Sequence, residues 1–244
     1  MQRLAELIER SSYCVILSGA GISTFSGIPD FRGSNGLYTK YDPDRIFDIE
    51  YFHKDPSYFY THAKELIYDL DTKVPNLIHH TLSLLEKKGY IKAVITQNID
   101  LLHQRAGSVN VIEVHGSPEN HRCLSCKYNY SYEHICEMLK KVPVPFCTEC
   151  GGLIKPDIVF FGEMLDQDAF TRAVDSSSQA DLFIVIGSSL VVQPAATLPL
   201  YSLKAGGRLV IINNMPTPLD KYAYLKYEEL GSIFNYLSDH FKER

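Results

Sequence analysis

The chain has 244 residues, 45% of them hydrophobic and 22% charged, with a formal net charge of −5. That length can bury a substantial core, and that balance describes a globular protein rather than a disordered one. The longest basic blocks are pairs such as Lys140-Lys141, and no apolar run approaches the ~20 residues of a membrane span, so neither a nucleic-acid surface nor a transmembrane segment is expected.

The opening MQRLAELIER alternates charge with Leu and Ile. It predicts a helix over residues 2–9 rather than a signal peptide, and with it a cytoplasmic address. Cys14 to Leu17 reads as a short buried strand, with Cys14 as a small apolar residue. It runs into Ser18-Gly19-Ala20-Gly21-Ile22-Ser23-Thr24. A strand, Gly-x-Gly and a helix would bring backbone N–H groups against a pyrophosphate, although Thr24 stands where the dinucleotide fingerprint has its third glycine. Plain turn chemistry is the alternative. The following loop, Gly27-Ile28-Pro29-Asp30-Phe31-Arg32-Gly33, is either a solvated turn or a lid in which Phe31 covers a ligand and Arg32 meets phosphate. Residues 34–75 are rich in Tyr, Phe and Asp and read as a small helical insertion, including a helix over 56–70 with Asp55 as its N-cap. Ile78, Leu82 and Leu85 mark a further helix that ends near Gly89.

The stretch from Ile91 to Gly116 carries two β-branched runs, Ala93-Val94-Ile95 and Val109 to Val114. Such runs suit strands buried on both faces of a parallel sheet, whose ligands sit beyond the strands' carboxyl ends. The first run stops at Thr96-Gln97-Asn98-Ile99-Asp100 and the second at His115-Gly116. An amide, a carboxylate and an imidazole are thereby expected at neighbouring strand ends. Each has an ordinary alternative, Asn98 and Asp100 as helix caps and His115 as a turn histidine.

Cys123-x-x-Cys126 and Cys147-x-x-Cys150 flank residues 127–146, with Gly151-Gly152 following. Two such knuckles match a tetrahedral zinc ribbon. Two disulfides, the alternative, require an oxidising compartment. Beyond them the main sheet is expected to resume at Ile158-Val159-Phe160-Phe161, then at Leu182 to Ile186 ending in Gly187-Ser188-Ser189, and at Leu209 to Ile212 ending in Asn213-Asn214. Ala169, Phe170, Ala173 and Val174 mark a helix between them, and Leu230, Ile233, Phe234, Leu237 and Phe241 mark the last one.

In this order, Gly19-Ala20-Gly21-Ile22-Ser23, Gly27-Ile28-Pro29-Asp30-Phe31-Arg32, Thr96-Gln97-Asn98-Ile99-Asp100, His115-Gly116, the four paired cysteines and Gly187-Ser188-Ser189 resemble the sirtuin family over nearly the whole chain. The resemblance implies one α/β catalytic domain spanning 1–244. Its Rossmann-like parallel sheet, with helices on both faces, takes 1–33, 76–116 and 157–244. The helical insertion is 34–75 and the small zinc-ribbon module is 117–156. It implies an NAD-dependent protein lysine deacylase that uses NAD as co-substrate and Zn2+ as a structural ion. Such an enzyme acts on an acetyl-lysine protein or peptide, as a monomer, away from membranes and nucleic acid.

By the same resemblance Gly19, Ala20, Gly21, Thr24, Phe31, Arg32 and Gln97 line the cofactor. Asp100 and the Ile99 backbone hold the nicotinamide carboxamide, Asn98 orders the ribose, and His115 is the general base. Gly187, Ser188, Ser189, Asn213 and Asn214 receive the adenosine half. Val159, Phe161 and Phe31 line a tunnel for the lysine stem, and the peptide adds as a strand between Gly162-Glu163 and Val191-Val192. Family members that remove succinyl groups carry a Tyr-x-x-Arg pair; here Tyr60 is present and Ala63 stands at the arginine position. An NAD-dependent ADP-ribosyltransferase, an NAD-binding regulatory module and a hydride-transfer oxidoreductase are the rival readings.

Overall fold

The computed structural model describes residues 1–33, 36–39 and 42–242, so positions 34, 35, 40 and 41 of the expected insertion lie outside the described residues. In chain order the strands are β1 (Cys14–Ser18), β2 (Ile91–Thr96), β3 (Val111–Glu113), β4 (Gly116–Cys123), β5 (Asn129–Ser131), β6 (Ile154–Ile158), β7 (Leu182–Ile186), β8 (Arg208–Ile212) and β9 (Leu225–Tyr227). The chain divides into two compact units. One takes Met1–Pro29, Val74–Val114 and Asp166–Arg244, and the other takes Asp30–Lys73 and His115–Leu165.

The first unit is built on a six-stranded sheet ordered β3-β2-β1-β7-β8-β9, with every neighbouring pair parallel. β1 and β7 are buried at every residue, as their uninterrupted apolar runs require. Alternate side chains serve opposite faces. Cys14, Ile16, Ile184 and Val210 join the helices Gln2–Arg10, Leu77–Lys87 and Leu230–Lys242 in one core. Val15, Leu17, Val185 and Ile211 join Ala173 of helix Gln167–Gln179 and Leu198 of helix Leu198–Lys204 in the other. Each fully buried Val, Leu or Ile in these layers contributes ~1.5–3 kcal/mol of transfer free energy. The α/β class with helices on both faces is therefore what this unit shows. The chain runs outward from β1 through β2 to β3, then returns to β1's other flank at β7, so the strand order reverses between β1 and β7. In sheets of this kind ligands bind beside such a reversal, outside the strands' carboxyl ends.

The helix expected after Gly19 is a 3₁₀ helix over Ala20–Ser26, and it stops at Gly27 with φ +75°. One expectation is corrected. The strand expected at 158–161 forms instead at Ile154–Ile158 and pairs antiparallel with β4, outside the parallel sheet. Phe160 is drawn into an aromatic core of the second unit, so the apolar run there serves packing rather than a ladder.

The second unit combines the antiparallel sheet β5-β4-β6 with short helices whose starts follow their caps. Asp48 accepts from the Tyr51 N–H ahead of helix Ile49–Lys54, and Asp55 accepts from the Ser57 N–H ahead of helix Pro56–Leu66. Ser131 accepts from the His134 N–H ahead of helix Tyr132–Leu139. Phe52, Phe59 and Phe160 meet with ring centroids 5.0–5.4 Å apart, and Phe47 stands edge-on to Phe160 at 5.9 Å. Helices from the Tyr- and Phe-rich segment and the chain after β6 thus share one core.

Three buried histidines are held neutral. His103 Nε2 lies 2.8 Å from Ser18 Oγ, His79 Nδ1 accepts from the Asn76 N–H, and His121 Nε2 lies 2.8 Å from the Tyr68 hydroxyl. Burial, aided by His79 beside His103, His80 beside His79 and Lys155 beside His121, lowers their pKa values to about 3, 4 and 3 respectively. Below pH ~6.5 the unfolded chain binds protons there that the native chain refuses, so the stability these groups contribute is intact above ~6.5 and declines as pH falls toward 4. At pH 5 each can remove up to ~2 kcal/mol. Urea midpoints should be flat from pH 7.5 to 6.5 and drop steadily from 6.5 to 5; an unchanged midpoint down to pH 5 would contradict the neutral assignment.

Candidate active site and metal centre

In the first unit β1, β7 and β8 end at one edge in Gly19, Gly187 and Asn213. The Gly19 N–H donates to Ile186 O at 3.0 Å, Gly21 N–H to Gly187 O at 2.9 Å, and Gly187 N–H to Ile212 O at 2.9 Å. A Cβ on Gly19 would stand 2.7 Å from Gly187 O, and one on Gly21 would stand 2.9 Å from Gly187 Cα. Glycine is needed at 19 and 21 because two strand-end turns lie back to back. Gly187 itself has φ +62°. Ala20 is half-buried and Thr24 exposed, its hydroxyl donating to Gly21 O at 2.9 Å.

The polar cluster after β2 lies at the same edge. Asn98 and Asp100 are 7% and 5% exposed, unusual values for such side chains. Asn98 Nδ2 donates to Gly19 O at 3.2 Å and to Ser23 Oγ at 3.1 Å, while its N–H donates to Thr96 Oγ1 at 3.0 Å. Ser23 Oγ donates to Asp100 Oδ2 at 2.5 Å, and Asp100 Oδ1 accepts from the Leu102 N–H at 2.9 Å. Asp100 thus turns the chain onto Leu102, while the N-cap of helix Leu102–Arg105 is Leu101 with no side-chain cap bond, and each Asp100 carboxylate oxygen keeps a second lone pair. Burial raises the Asp100 pKa, opposed by the Ser23 and Leu102 bonds and by Arg105. Ser188 Oγ donates to Gln97 Oε1 at 2.6 Å, joining the ends of β7 and β2. Asn213 is buried with Nδ2 on Met215 O; Asn214 is exposed and Ser189 and Ile99 are half-buried. Val191 is exposed and Val192 half-buried beyond Leu190.

Sequence reasoning gave no role to Ser23, which ties Asn98 to Asp100, nor to Ser18, whose hydroxyl donates to Thr96 Oγ1 at 2.9 Å. It likewise passed over Asn76, whose Nδ2 donates to Ile22 O and Ser26 Oγ at 2.8 Å and pins the 3₁₀ segment to the next helix. Those contacts span 50 residues or more, and local patterning carries no signal for them. The arrangement fits a dinucleotide: backbone that glycine turns leave open to close approach, a buried amide and carboxylate, and hydroxyls at adjacent strand ends.

The remaining predicted residues belong to the second unit. His115 is half-buried, and its carbonyl accepts from the Val159 N–H at 2.8 Å. Gly116, at φ +74°, follows it; a Cβ there would stand 2.1 Å from Asp157 O, so only glycine lets β4 approach β6 here. Phe161 is 44% exposed, with its N–H on Phe47 O and its carbonyl on the Ile49 N–H. Val159 is half-buried, Gly162 is exposed at φ +90°, and Glu163 Oε2 accepts from the Phe160 N–H at 2.8 Å. Phe31 packs 5.6 Å from Tyr38 and 6.0 Å from Phe47. The Arg32 guanidinium is exposed over the Tyr38 ring at 5.3 Å.

Cys123, Cys126, Cys147 and Cys150 bring their sulfurs within 4.8 Å of one another. Cys123–Cys150 and Cys126–Cys147 stand 3.5 and 3.6 Å apart, near the ~3.8 Å edge of a tetrahedral Zn–S cage and far from the ~2.05 Å of a disulfide. All four are free thiols. Burial opposes ionisation of Cys147, but the Tyr130 hydroxyl, 3.1 Å from its sulfur, and the Glu149 and Cys150 N–H groups bring its pKa down to about 6. The Tyr128 N–H favours the Cys126 thiolate, but the Cys150, Cys123 and Cys147 sulfurs and burial together push its pKa up to about 12. Four sulfurs this close share protons unless a cation replaces them, and a divalent thiophile meets that need. Gly151 turns the chain at φ +72°, and a Cβ on Gly152 would stand 2.8 Å from Cys123 Sγ.

With this geometry in place, the comparisons are direct. A Sir2 family profile matches residues 19–194. An NAD-dependent protein deacetylase of Thermotoga maritima is 53% identical over 227 residues, 93% of this chain and 92% of its own. NAD-dependent protein deacylase 2 of Archaeoglobus fulgidus is 43% identical over 90% of this chain and 87% of its own. A solved Sir2 histidine-to-alanine variant with deacetylated p53 peptide and 3′-O-acetyl ADP ribose is 49% identical, covers 100% of this chain and 98% of its own, and superposes with a TM-score of 0.94. A Sir2 complex with p53 peptide and NAD+ is 48% identical over 100% and 98% of the two chains, with a TM-score of 0.91. A match across most of the chain, in sequence and in three dimensions, places this protein in the Sir2 family.

Proposed function

We propose that this chain is an NAD-dependent protein lysine deacylase. It transfers the acyl group of acetyl-lysine to ADP-ribose and releases nicotinamide and O-acetyl-ADP-ribose. The observation that carries the reading is the 53% identity, over 93% of this chain, to a protein deacetylase, joined by the Sir2 structures holding NAD+ or an acetylated peptide. Nicotinamide release that depends on an acetyl-lysine peptide tests it; release at the same rate without peptide would overturn it.

NAD, when bound, supplies the ribose carbon that takes the acyl oxygen and nicotinamide as the leaving group. The backbone at Gly19, Ala20 and Gly21 approaches the pyrophosphate, with Thr24, Phe31, Arg32 and Gln97 around the cofactor. Asp100 and the Ile99 backbone hold the carboxamide, and Asn98 orders the ribose. Gly187, Ser188, Ser189, Asn213 and Asn214 receive the adenosine half. The depth of Asn98 and Asp100 supports these roles, because groups fixed by Ser23 and Gly19 need no reorganisation to position a departing ring. His115 takes a proton from a ribose hydroxyl, work that suits an imidazole near neutral pH. Val159 and Phe161 line the lysine stem, and backbone at Gly162, Glu163, Val191 and Val192 offers pairing groups to an extended peptide. Zn2+ held by Cys123, Cys126, Cys147 and Cys150 is structural, since four thiolates leave no open coordination position. Free cysteines on both knuckles agree with a reducing compartment such as the cytoplasm, where we place a monomeric enzyme.

Replacing His115 by Ala should lower turnover by ~10²–10⁴-fold while NAD and peptide still bind. Near-normal turnover by steady-state kinetics would remove His115 from the base role.

Metal analysis should find one zinc per chain, and Cys126→Ala or Cys150→Ala should lose both the metal and soluble folded protein, because binding and folding are coupled at such sites. Zinc-free protein with full activity would refute the assignment.

Acyl choice follows from Tyr60 and Ala63. The Tyr60 hydroxyl is committed to Ile154 O at 2.6 Å, Ala63 is fully buried, and Lys64 is exposed. None supplies a cation to an acyl carboxylate, and burying that charge unpaired costs several kcal/mol, so acetyl-lysine should exceed succinyl-lysine by at least ~10-fold in kcat/KM. Equal or better use of the succinyl peptide in a direct competition would show that an unrecognised cation meets it.

A further inference from the structure

Among the described residues Lys155 is the one buried lysine. Its side chain is 6% exposed in β6, although lysine is among the residues least often buried. The ammonium has three N–H donors, and the structure gives it three acceptors: Glu163 Oε2 at 2.8 Å, Ile158 O at 2.7 Å and Pro156 O at 3.2 Å. It also lies 4.1 Å from the centroid of the Phe160 ring. Burial pushes its pKa down, and Glu163 opposes that shift. A buried ammonium is unfavourable unless it is fully hydrogen-bonded, as it is here, and an apolar residue of that length would serve packing as well. The ion pair therefore calls for a reason beyond stability.

The reason lies in which backbone it holds. Glu163 Oε2 accepts from both Lys155 and the Phe160 N–H, and the Glu163 N–H returns to Phe160 O at 3.0 Å. Ile158 O is fixed by the same ammonium, and the next N–H, that of Val159, donates to His115 O. Phe161 is tied to Phe47 and Ile49. Residues 158–163 are thus clamped from beneath, with exposed Gly162 at φ +90° at the tip.

We propose that Lys155 is a positioning residue for the acyl-lysine peptide: with Glu163 it sets the backbone of residues 158–163 in the conformation that pairs with the substrate. This rests on the deacylase reading above. Lys155→Met, Glu163→Gln and the double variant separate the possibilities by steady-state kinetics on the zinc-loaded full chain. Each single variant should raise KM for an acetyl-lysine peptide by ~10–100-fold, more than it lowers kcat, with KM for NAD within about twofold of the parent. The double variant should be no worse than the worse single, because the two residues act as one clamp.

A folded Lys155→Met protein with the parent's peptide KM overturns the proposal, as do single effects that multiply in the double variant, which would mean Glu163 meets the peptide without Lys155. If Lys155→Met does not accumulate as folded protein, Glu163→Asp is compared with Glu163→Gln. Asp keeps the charge but cannot span Lys155 and the Phe160 N–H together, so it should impair peptide KM as Gln does; a parent-like KM for Glu163→Asp overturns the clamp. A parent protein that shows no peptide-dependent nicotinamide release refutes the deacylase reading itself, a result distinct from either outcome in the variants.

Discussion

Gly19 and Gly187 meet across the point where the strand order reverses, with no room for a side chain on Gly19 and a left-handed backbone at Gly187. Everything at the carboxyl edge of the large sheet depends on that approach. It lets the turn after β1 hydrogen-bond to the turn after β7, and it leaves Gly19 O facing Asn98. A methyl group on Gly19 would push the two turns apart and carry the Asn98 anchor with it.

From that contact a buried polar chain extends. Ser18 bonds to Thr96, Thr96 to the Asn98 backbone, Asn98 to Ser23 and Ser23 to Asp100. His103 closes its inner end on Ser18. Each of these links supplies a donor to an acceptor, and hydrogen bonds joined in a chain polarise one another. In the proposed reaction this fixed arrangement substitutes for solvent reorganisation: the groups that would hold the nicotinamide end are already aimed by the fold. The second unit does comparable work by other means. A thiol tetrad and an aromatic cluster hold its elements, Gly116 lets β4 approach β6, and the Lys155–Glu163 pair hydrogen-bonds the backbone at Ile158 and Phe160.

Much of the frame could be read from residue patterns. β7 forms over Leu182–Ile186 because an unbroken apolar run suits a strand covered on both faces, and Asp55 starts its helix as an Asx cap followed by proline should. The cysteine knuckles announced themselves by spacing alone. What could not be read is where an element goes when two partners compete for it. Ile158 to Phe161 looks like another buried strand, but Phe160 packs into the cluster of Phe47, Phe52 and Phe59, and the ladder forms four residues earlier. β9, with Lys226 exposed at its middle, has too little apolar character to stand out. Ser23 and Asn76 act through partners 50 or more residues away, and a short polar side chain in a turn looks alike whether it is solvated or buried.

The proposed reaction moves an acyl group from lysine onto ADP-ribose rather than ADP-ribose onto protein. Mass spectrometry of the products formed from NAD and an acetyl-lysine peptide tests it most directly. Deacetylated peptide and O-acetyl-ADP-ribose should form in equal amounts, one of each per nicotinamide released. A peptide that keeps its acetyl group and gains the mass of ADP-ribose, or ADP-ribose formed with the acetyl-lysine intact, would contradict it.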